Sequence, residues 1–433
     1  MAPSSDIGEP NDAASSNSLM EDTTSTKKRC LNSSSNGTLT PPSSSFTGTL
    51  KPPSSTYHSI VTLTLQSSSR DSLHTPPPLP TLPFELIVEI LSKLPVKSLI
   101  QFQCVCKSWK SLISDPKFAK KHLHMTTKHH HLISAFASSV PYEFIHMSYP
   151  LSSVFTEVTT TAMQLEYPLM NRYRFDPIVG SCRGILCILD YSFVFLWNPS
   201  IRKFTKLPSF EDSSSHMLDF SFGYDHSSDS YKVVAFYIHE FVINGNRVMK
   251  IIVKVHTLGT NSWRRIQDFP SRSFFEDSSG KFVCGTINWL TYRDRTSSLK
   301  TIISLDLETE SYLEIVQPNS EGNNYSRIGV LRDCLCLFSR SSDTFTDIWL
   351  MKEYGNKESW IKLFRVPDIR DLDSFPYVYP LYVSEDDQVL LQIESELFVY
   401  NSRDGTFKDL NIRNTNGVTG TTVYHESLIS PCF

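Results

Sequence analysis

The stretch Phe193–Leu207, FVFLWNPSIRKFTKL, has the pattern of an apolar strand, a polar turn and a second strand that opens on a bulky residue. The same pattern recurs in four later stretches: Val253–Ile266, Ile302–Ile315, Asp347–Leu363 and Leu397–Leu410. Corresponding positions in the five stretches are Asn198, Thr257, Asp306, Lys352 and Asn401, at spacings of 59, 49, 46 and 49 residues. A hairpin repeated at a period near ~50 residues indicates one structural unit used several times.

Further strand pairs lie between the repeated hairpins, for example at Lys232–Phe236 and Gln388–Ile393. Roughly four strands per period predict a blade, because blades that stack and close into a ring leave few free sheet edges. About three hundred residues at this period predict about six blades, a kelch-like β-propeller over residues 130–433. The stretch Thr421–Ser430 should pair with the strand near Leu132–Ser138 and close the ring.

Residues 79–124 have a helical pattern, which predicts a small three-helix module. Apolar residues recur at every fourth position until Pro95 ends the first helix, at Leu82, Leu86, Ile90 and Leu94. Two short helices are predicted over Lys97–Gln103 and Val105–Ile113, followed by a further turn that ends near Leu123. So small a module carries more large apolar side chains than it can bury, and part of that surface is expected to contact a partner.

The first 78 residues differ from both regions. Ser-rich and Pro-rich runs such as Ser33–Ser35 and Pro76–Pro78 alternate there. Such a segment cannot bury enough apolar surface to offset the entropy of ordering it, so residues 1–78 are predicted to be disordered. The basic trio Lys27–Arg29 matches a nuclear signal, but a run this short more often has no function.

Composition restricts the classes of function. Of the 433 residues, 41 are Lys or Arg and 45 are Asp or Glu, giving a formal net charge of −4. Binding to nucleic acid is not expected, because phosphate contacts need a basic surface. Binding to a membrane is not expected either, since no apolar run reaches about eighteen residues. With no secretory signal and nine thinly spread cysteines, the expectation is a soluble cytoplasmic and/or nuclear protein.

No local motif for catalysis, cofactor or metal is found in the sequence. A G-x-S-x-G elbow, a Walker A loop and an H-E-x-x-H pair are all absent, so no cofactor is expected. Cys334 and Cys336 share a strand face but have no second pair at zinc-finger spacing. His129–His131, with His122 and His124 nearby, is interpreted as a solvated linker. An enzyme whose site assembles from distant propeller loops stays open as an alternative.

A series of short matches in order along the chain resembles the large plant F-box family. Residues 82–123 resemble an F-box at Leu82-Pro83, Leu94-Pro95, Ser98-Leu99, Val105-Cys106-Lys107, Trp109 and Asp115–Phe118. The remainder resembles the F-box-associated region in pieces such as Gly184–Cys187, Trp197–Ser200, Phe222–Asp225, Asn261–Arg264 and Glu426–Leu428. One departure is Gln101 and Gln103, where family members commonly carry Arg.

This resemblance implies a helical F-box followed by an all-β propeller, and a role for each. The F-box would dock on a Skp-type adaptor, and through it on a cullin–RING ubiquitin ligase. The propeller would hold an unidentified substrate protein, which makes the chain a non-catalytic receptor. The alternative is an adaptor-binding scaffold that sequesters partners without ubiquitin transfer. The residues expected to dock on the adaptor are Leu82, Pro83, Leu86, Ile90, Leu94, Pro95, Leu99, Val105 and Trp109.

The substrate surface is expected among the long connections between blades. Hairpin turns lie on one face of a propeller ring, and connections to the next blade lie on the other. The connection Pro367–Pro376 combines charged residues with an aromatic ring, which suits a protein partner: Arg370, Asp371, Asp373 and Phe375. An equally weighted interpretation is that these long loops are tolerated insertions.

Overall fold

The computed structural model describes residues 82–126, 129–139, 142–156, 162–166, 178–190, 193–209, 216–243, 246–270, 279–292, 300–318, 326–342, 345–367, 378–410 and 418–432. The predicted tail, residues 1–78, lies outside these ranges. So do the four residues predicted to bind substrate, Arg370, Asp371, Asp373 and Phe375.

Four helices open the described chain: α1 Phe84–Leu91, α2 Val96–Phe102, α3 Lys107–Ser114 and α4 Pro116–Met125. The first two begin directly after Pro83 and Pro95, where the fixed φ of proline precedes the first helical residue. Helix α3 begins two residues later than predicted, because Cys106 is extended, with φ −158°. The predicted turn after Asp115 is a ten-residue helix, capped by the Asp115 carboxylate, which accepts the N–H of Lys117 at 2.7 Å.

The strands follow α4, with a short helix α5 at Leu151–Thr156 and a 3₁₀ turn at Lys357–Ser359. They are β1 His130–Ser139, β2 Tyr142–Pro150, β3 Met163–Gln164, β4 Ile178–Cys182, β5 Ile185–Asp190, β6 Phe193–Asn198, β7 Lys203–Lys206, β8 His216–Asp225, β9 Ser230–Ile243, β10 Asn246–Thr257, β11 Arg264–Arg265, β12 Lys281–Val283, β13 Thr286–Tyr292, β14 Lys300–Asp306, β15 Tyr312–Ile315, β16 Ser326–Leu331, β17 Cys334–Ser342, β18 Phe345–Met351, β19 Trp360–Pro367, β20 Val378–Val383, β21 Gln388–Ile393, β22 Glu396–Asn401, β23 Phe407–Asp409 and β24 Val418–His425.

Within the described ranges these strands form six four-stranded antiparallel sheets, which confirms the predicted six-bladed propeller. Five blades take four strands in chain order, from β4–β7 to β20–β23, and the sixth combines β24 with β1, β2 and β3. The first strand of each blade contacts the first strand of the next, around to β24 and β4. The five hairpins found in the sequence are the third and fourth strands of the first five blades.

The ring closes through the two chain segments that the sequence predicted, but the pairing covers 418–425 and 130–136 and not the predicted Thr421–Ser430 and Leu132–Ser138. Strand β24 pairs with β1 from His130↔His425 to Phe136↔Val418, so the two ends of the propeller share one sheet. The closing blade therefore holds the first and last blades together through backbone hydrogen bonds across the full length of β24.

Blade packing explains why the middle strands are buried along nearly their whole length. Strands β6, β13 and β14 are buried at nearly every residue, whereas the outer strands β7 and β11 are mostly exposed. A middle strand has a neighbouring blade on each face, so both of its faces need apolar side chains.

The bulky residue at the opening of the fourth strand joins one blade to the one before it. The indole N–H of Trp263 donates to the Pro208 carbonyl at 2.9 Å, and that of Trp360 donates to the Val316 carbonyl at 3.0 Å. The hydroxyl of Tyr312 likewise donates to the Gln267 carbonyl at 3.2 Å. Each ring fills space between blades and satisfies its own polar atom.

Candidate functional site

The helical module, α1–α4, carries apolar side chains on two sides of α1. Ile87, Val88 and Leu91 pack with the other helices in one apolar cluster. Leu86 and Ile90, one helical turn apart, point away from it and are 46% and 52% exposed. A helix that buries one apolar stripe and exposes another presents a surface for a further partner.

The residues predicted to contact an adaptor fall into three groups, which are half-buried, buried and exposed. Leu94 and Trp109 are half-buried, and the Trp109 ring meets Phe102 edge-on at a centroid distance of 5.4 Å. Leu99 is 0% exposed, so in the folded chain its side chain lies in the module core and not on the surface. Val96 and Leu99 are three residues apart, which places both on the same side of α2. That side faces the module core. The other six are exposed: Leu82, Pro83, Leu86, Ile90, Pro95 and Val105.

Three exposed apolar residues were missed by the four-residue spacing, and one of them, Met125, is 45% exposed at the far end of α4. Phe84 begins α1 and is 52% exposed, and Ile100 follows the buried Leu99 and is 38% exposed. An apolar residue directly beside a core position is the signal that could have found Ile100. We call the following residues the exposed apolar set: Leu82, Phe84, Leu86, Ile90, Ile100 and Val105.

The helical module is joined to the propeller by residues 426–428, which we call the closing segment. The Glu426 carboxylate contacts the His131 imidazole at 3.1 Å and lies 3.4 Å from the backbone N–H of Val96. Burial alone would raise the pKa of Glu426, but hydrogen bonding and charge from His131, with the Val96 N–H, hold it below its ordinary value. Leu428 packs in the same apolar cluster as Leu99.

Motifs far apart in the sequence converge on the closing segment. Asn198, in the WNPS motif, is fully buried and donates to the carbonyls of Ser427 and Ile429 at 3.0 and 2.7 Å. Its side-chain oxygen accepts the hydroxyl of Tyr424 at 2.7 Å. Gly184 has φ +77°, and a Cβ there would overlap the side chain of Ser427. These motif residues therefore hold the end of the chain in place beneath the helices.

The histidines near the start of β1 do not form a solvated linker, so that interpretation is wrong. His122 is 0% exposed, and its Nε2 lies 2.8 Å from the carbonyl oxygen of Leu94. His130 stacks on His425 with ring centroids 4.9 Å apart. Burial lowers the pKa of both stacked rings to about 4, so they are neutral at pH 7, and Nε2 of His425 is hydrogen-bonded to the carbonyl of Thr126.

The helical module lies against one face of the ring. This face carries the turns between the first and second strands and between the third and fourth strands of a blade. Ile201, in the turn between β6 and β7, packs on the module's apolar cluster. Asp229, in the turn between β8 and β9, forms an ion pair with Lys120 of α4. Strand direction alternates in each antiparallel blade, so connections between blades start and finish at the opposite face. Pro367, which ends β19, and Val378, which begins β20, lie at that opposite face.

The cysteines that share a strand face are part of the propeller core. Cys334 and Cys336 are buried in an apolar cluster, and burial raises the pKa of both thiols. Across the described ranges, no cluster of three or more His, Cys, Asp or Glu has the arrangement needed to hold a metal ion. Among the helices described, none combines the length and the apolar character required to cross a membrane.

The helical module exposes an apolar set and is joined to a closed six-bladed propeller. This combination defines a class of protein in which one part is suited to docking and the other is a scaffold. Residues 79–121 match the F-box domain family, and residues 139–431 match the F-box associated beta propeller domain family. The chain belongs to the F-box proteins that carry an F-box-associated β-propeller.

Relatives in Arabidopsis thaliana agree with this assignment. F-box/kelch-repeat protein At3g23880 is 34% identical over 367 residues, which cover 81% of this chain and 96% of the relative. F-box protein CPR1 is 28% identical over 349 residues, which cover 74% of this chain and 81% of the relative. F-box protein At3g07870 is 28% identical over 381 residues, which cover 77% of this chain and 88% of the relative.

Proposed function

We propose that this protein is the substrate-recognition subunit of an SCF (Skp–cullin–F-box) ubiquitin ligase. Its F-box binds a Skp-type adaptor, which links it to a cullin–RING ligase, and its propeller holds a target protein for ubiquitination and proteasomal degradation. The supporting observation is the exposed apolar set, which lies on a small helical module that also has an apolar core of its own. The protein works without a cofactor, in the cytoplasm and/or the nucleus.

In this role the chain contributes proximity and not side-chain chemistry. Holding a target lysine near a charged ubiquitin-conjugating enzyme makes transfer effectively intramolecular, which is a large kinetic gain without an acid, base or nucleophile from the receptor. The protein is therefore proposed to be non-catalytic.

The proposed adaptor contacts are chosen by the exposed fraction of each side chain. Full burial of one Leu, Ile or Phe side chain in an interface contributes roughly 1.5–3 kcal/mol, so a few of these anchors suffice for a stable complex. Leu94 and Trp109 are proposed to line the edge of the contact, and Leu99 is left out. The proposed docking residues are Leu82, Pro83, Phe84, Leu86, Ile90, Pro95, Ile100 and Val105.

The adaptor assignment is tested by Leu86→Asp. A carboxylate forced into an apolar contact costs several kcal/mol unless it is paired, so binding to a purified Skp-type adaptor should be lost. The matched control is Leu313→Asp, because Leu313 on β15 is a similarly exposed leucine, 57% against 46% for Leu86. Adaptor binding at wild-type affinity by Leu86→Asp would contradict the assignment.

Reconstitution distinguishes the proposed receptor from a scaffold that only sequesters its partners. The full chain is combined with adaptor, cullin–RING core, ubiquitin-conjugating enzyme and a target found by proximity labelling with and without proteasome inhibition. Ubiquitin transfer that requires this chain supports the receptor role. Stable complexes without transfer would support the scaffold.

The target is proposed to bind the face opposite the F-box, where the connections between blades start and finish. The F-box occupies the face of the hairpin turns through Ile201 and Asp229, which leaves the opposite face for the target. Loops on a rigid scaffold are where specificity is usually built, and the proposed contacts are Arg370, Asp371, Asp373 and Phe375.

This placement is tested by changing Arg370, Asp371 and Phe375 together to Ala and measuring degradation of an identified target. A stabilised target with intact adaptor binding is expected. The control changes Arg202 and Lys203, which lie in and beside a hairpin turn on the F-box face, where Arg202 forms an exposed ion pair with Glu166. Unchanged turnover in the triple variant, with loss in the control, would move the target to the F-box face.

A further inference from the structure

The closing segment, Glu426–Leu428, takes part in two folding units at once. It follows directly on β24. The backbone N–H of Glu426 donates to the carbonyl of His129 at 3.0 Å, which extends the sheet formed by β24 and β1. Its side chains reach the F-box, where Leu428 is 8% exposed within the same apolar cluster as Leu91 and Leu99. The core of the F-box is therefore completed by a residue that the propeller places there.

No side chain close in sequence caps the N-terminus of helix α2 of the F-box. Its N-cap residue is Pro95, which makes no side-chain cap hydrogen bond, and no acidic residue lies in its first turn. Glu426 supplies a carboxylate at this end, 3.4 Å from the Val96 N–H. A negative charge there interacts favourably with the helix dipole and with an otherwise unpaired N–H group.

The position of α2 decides which of its side chains a partner meets. Val96 and Leu99 are 1% and 0% exposed and anchor the helix in the module, while Ile100 points outward. A helix of seven residues is unstable alone and keeps its place only through tertiary contacts. Glu426 at its start and Leu428 beside Leu99 are two of those contacts.

We infer that the closing segment positions α2 for adaptor binding, so that the F-box becomes competent to dock only when the propeller ring has closed. Glu426 and Leu428 are positioning residues, because they act through α2 and do not touch the adaptor. An open ring would leave α2 without its cap and the F-box core without one leucine side chain. The inference rests on the proposed adaptor binding.

The test uses the full chain, with Glu426→Ala, Glu426→Gln and Leu428→Ala, a purified Skp-type adaptor, and hydrogen exchange of the α2 amides as a second readout. The control for Glu426 is Glu310→Ala, whose side chain has the same 18% exposure but pairs with Arg264 and Lys232 inside the propeller. The control for Leu428 is Leu410→Ala, which is 6% exposed in a cluster made only of propeller residues.

Glu426→Ala should weaken adaptor binding by about tenfold and speed exchange in α2, since the fraction of docking-competent protein falls with the lost cap. Leu428→Ala should weaken binding more. Glu426→Gln should recover most of the affinity, because its amide oxygen still accepts the Val96 N–H. Both controls should keep wild-type affinity for the adaptor.

Wild-type affinity in both Glu426→Ala and Leu428→Ala would overturn the inference, whatever the exchange rates. Weaker binding with unchanged exchange in α2 would also overturn it, because the residues would then act by direct contact with the adaptor. Failure of the wild-type chain to bind any Skp-type adaptor would instead contradict the proposed function, so the two failures are distinguishable.

Discussion

The F-box and the propeller use apolar side chains in different ways. In the described part of the chain, the exposed large apolar residues concentrate in the F-box, with seven between Leu82 and Met125 and four in the whole propeller. Those four are scattered over the outer parts of blades and their flanks: Met163, Phe204, Leu313 and Val316. Scattered apolar residues are normal on a surface, whereas a concentration in a short segment marks an interaction site.

The two regions also differ in how completely they fold on themselves. Each middle strand of the propeller has a blade on either side, so Leu186, Leu196 and Leu335 are 0% exposed. The F-box instead needs Leu428 from beyond the last strand to complete its core. The propeller is therefore a self-sufficient scaffold once its ring closes, while the F-box depends on contacts from outside itself.

The sharpest test of this comparison is removal of residues 418–433. The deletion removes β24 and the closing segment together, which leaves β1 unpaired on one edge and the first and last blades unjoined. We expect the cooperative thermal transition of the propeller to be lost or lowered by more than about 10 °C, as for a change of several kcal/mol. Calorimetry of the purified chain measures this.

The matched control removes residues 1–78, for which no change in the transition is expected. A C-terminal truncation that melts at the parent temperature would contradict the closed-ring dependence, and with it the claim that the propeller is self-sufficient only when closed.

A second test compares two leucines of the F-box that differ in burial. Leu99→Ala opens a cavity in the module core and should destabilise the F-box by about 2–5 kcal/mol. Leu86→Ala, at a position 46% exposed, should leave stability almost unchanged while weakening adaptor binding. Hydrogen exchange of the α1 and α2 amides reports stability, and titration calorimetry reports adaptor affinity. Equal stability losses in the two variants would remove the distinction between core and docking residues.

The smallest expected effect is a pH dependence at the junction between the two regions. Burial holds the pKa of His130 and His425 at about 4, below the value near 6.5 of an exposed histidine. Between these values the unfolded chain binds protons that the folded chain does not, so stability falls as the pH is lowered from about 6.5 towards 4. A loss on the order of 1–2 kcal/mol per ring is expected at pH 5.

Calorimetry at pH 7 and pH 5 measures this loss. The variant His425→Phe should reduce the dependence of the unfolding free energy on pH. His146 in β2 is a second source of the same dependence, because burial lowers its pKa to about 4 as well. A wild-type pH dependence in His425→Phe would show that His425 does not contribute and would assign the effect to the other histidines with a lowered pKa: His122, His130, His146 and His256. Glu426, with its lowered pKa, adds a loss of stability only at more acidic pH.

Much of the fold could be predicted because the signals are local or repeated. The period from Asn198 to Asn401, divided into the length of the β-region, predicted the blade count, since five of the six blades repeat the same strand, turn and bulky residue. Helices α1 and α2 begin directly after Pro83 and Pro95, which restrict the backbone before each helix. The predicted pairing of the last strand with β1 followed from the need to close a ring without free edges.

The sites were predicted less completely, because exposure depends on neighbours that sequence does not show. Leu99 and Ile100 are adjacent and both apolar, yet one is 0% exposed and the other 38%. His130 looks like part of a polar linker in sequence, but it stacks on His425, and burial lowers its pKa to about 4. Neither outcome can be derived from residue type alone.

Periodicity and composition are properties of the chain, so they are enough to predict the number of blades, the helical nature of residues 84–125 and the excess of apolar side chains there. The meeting of the WNPS motif at Asn198 with the closing segment beneath the F-box depends on the folded ring. The physical reason is that Asn198 and Ser427 lie 229 positions apart in the chain, and their contact exists only after the ring has closed.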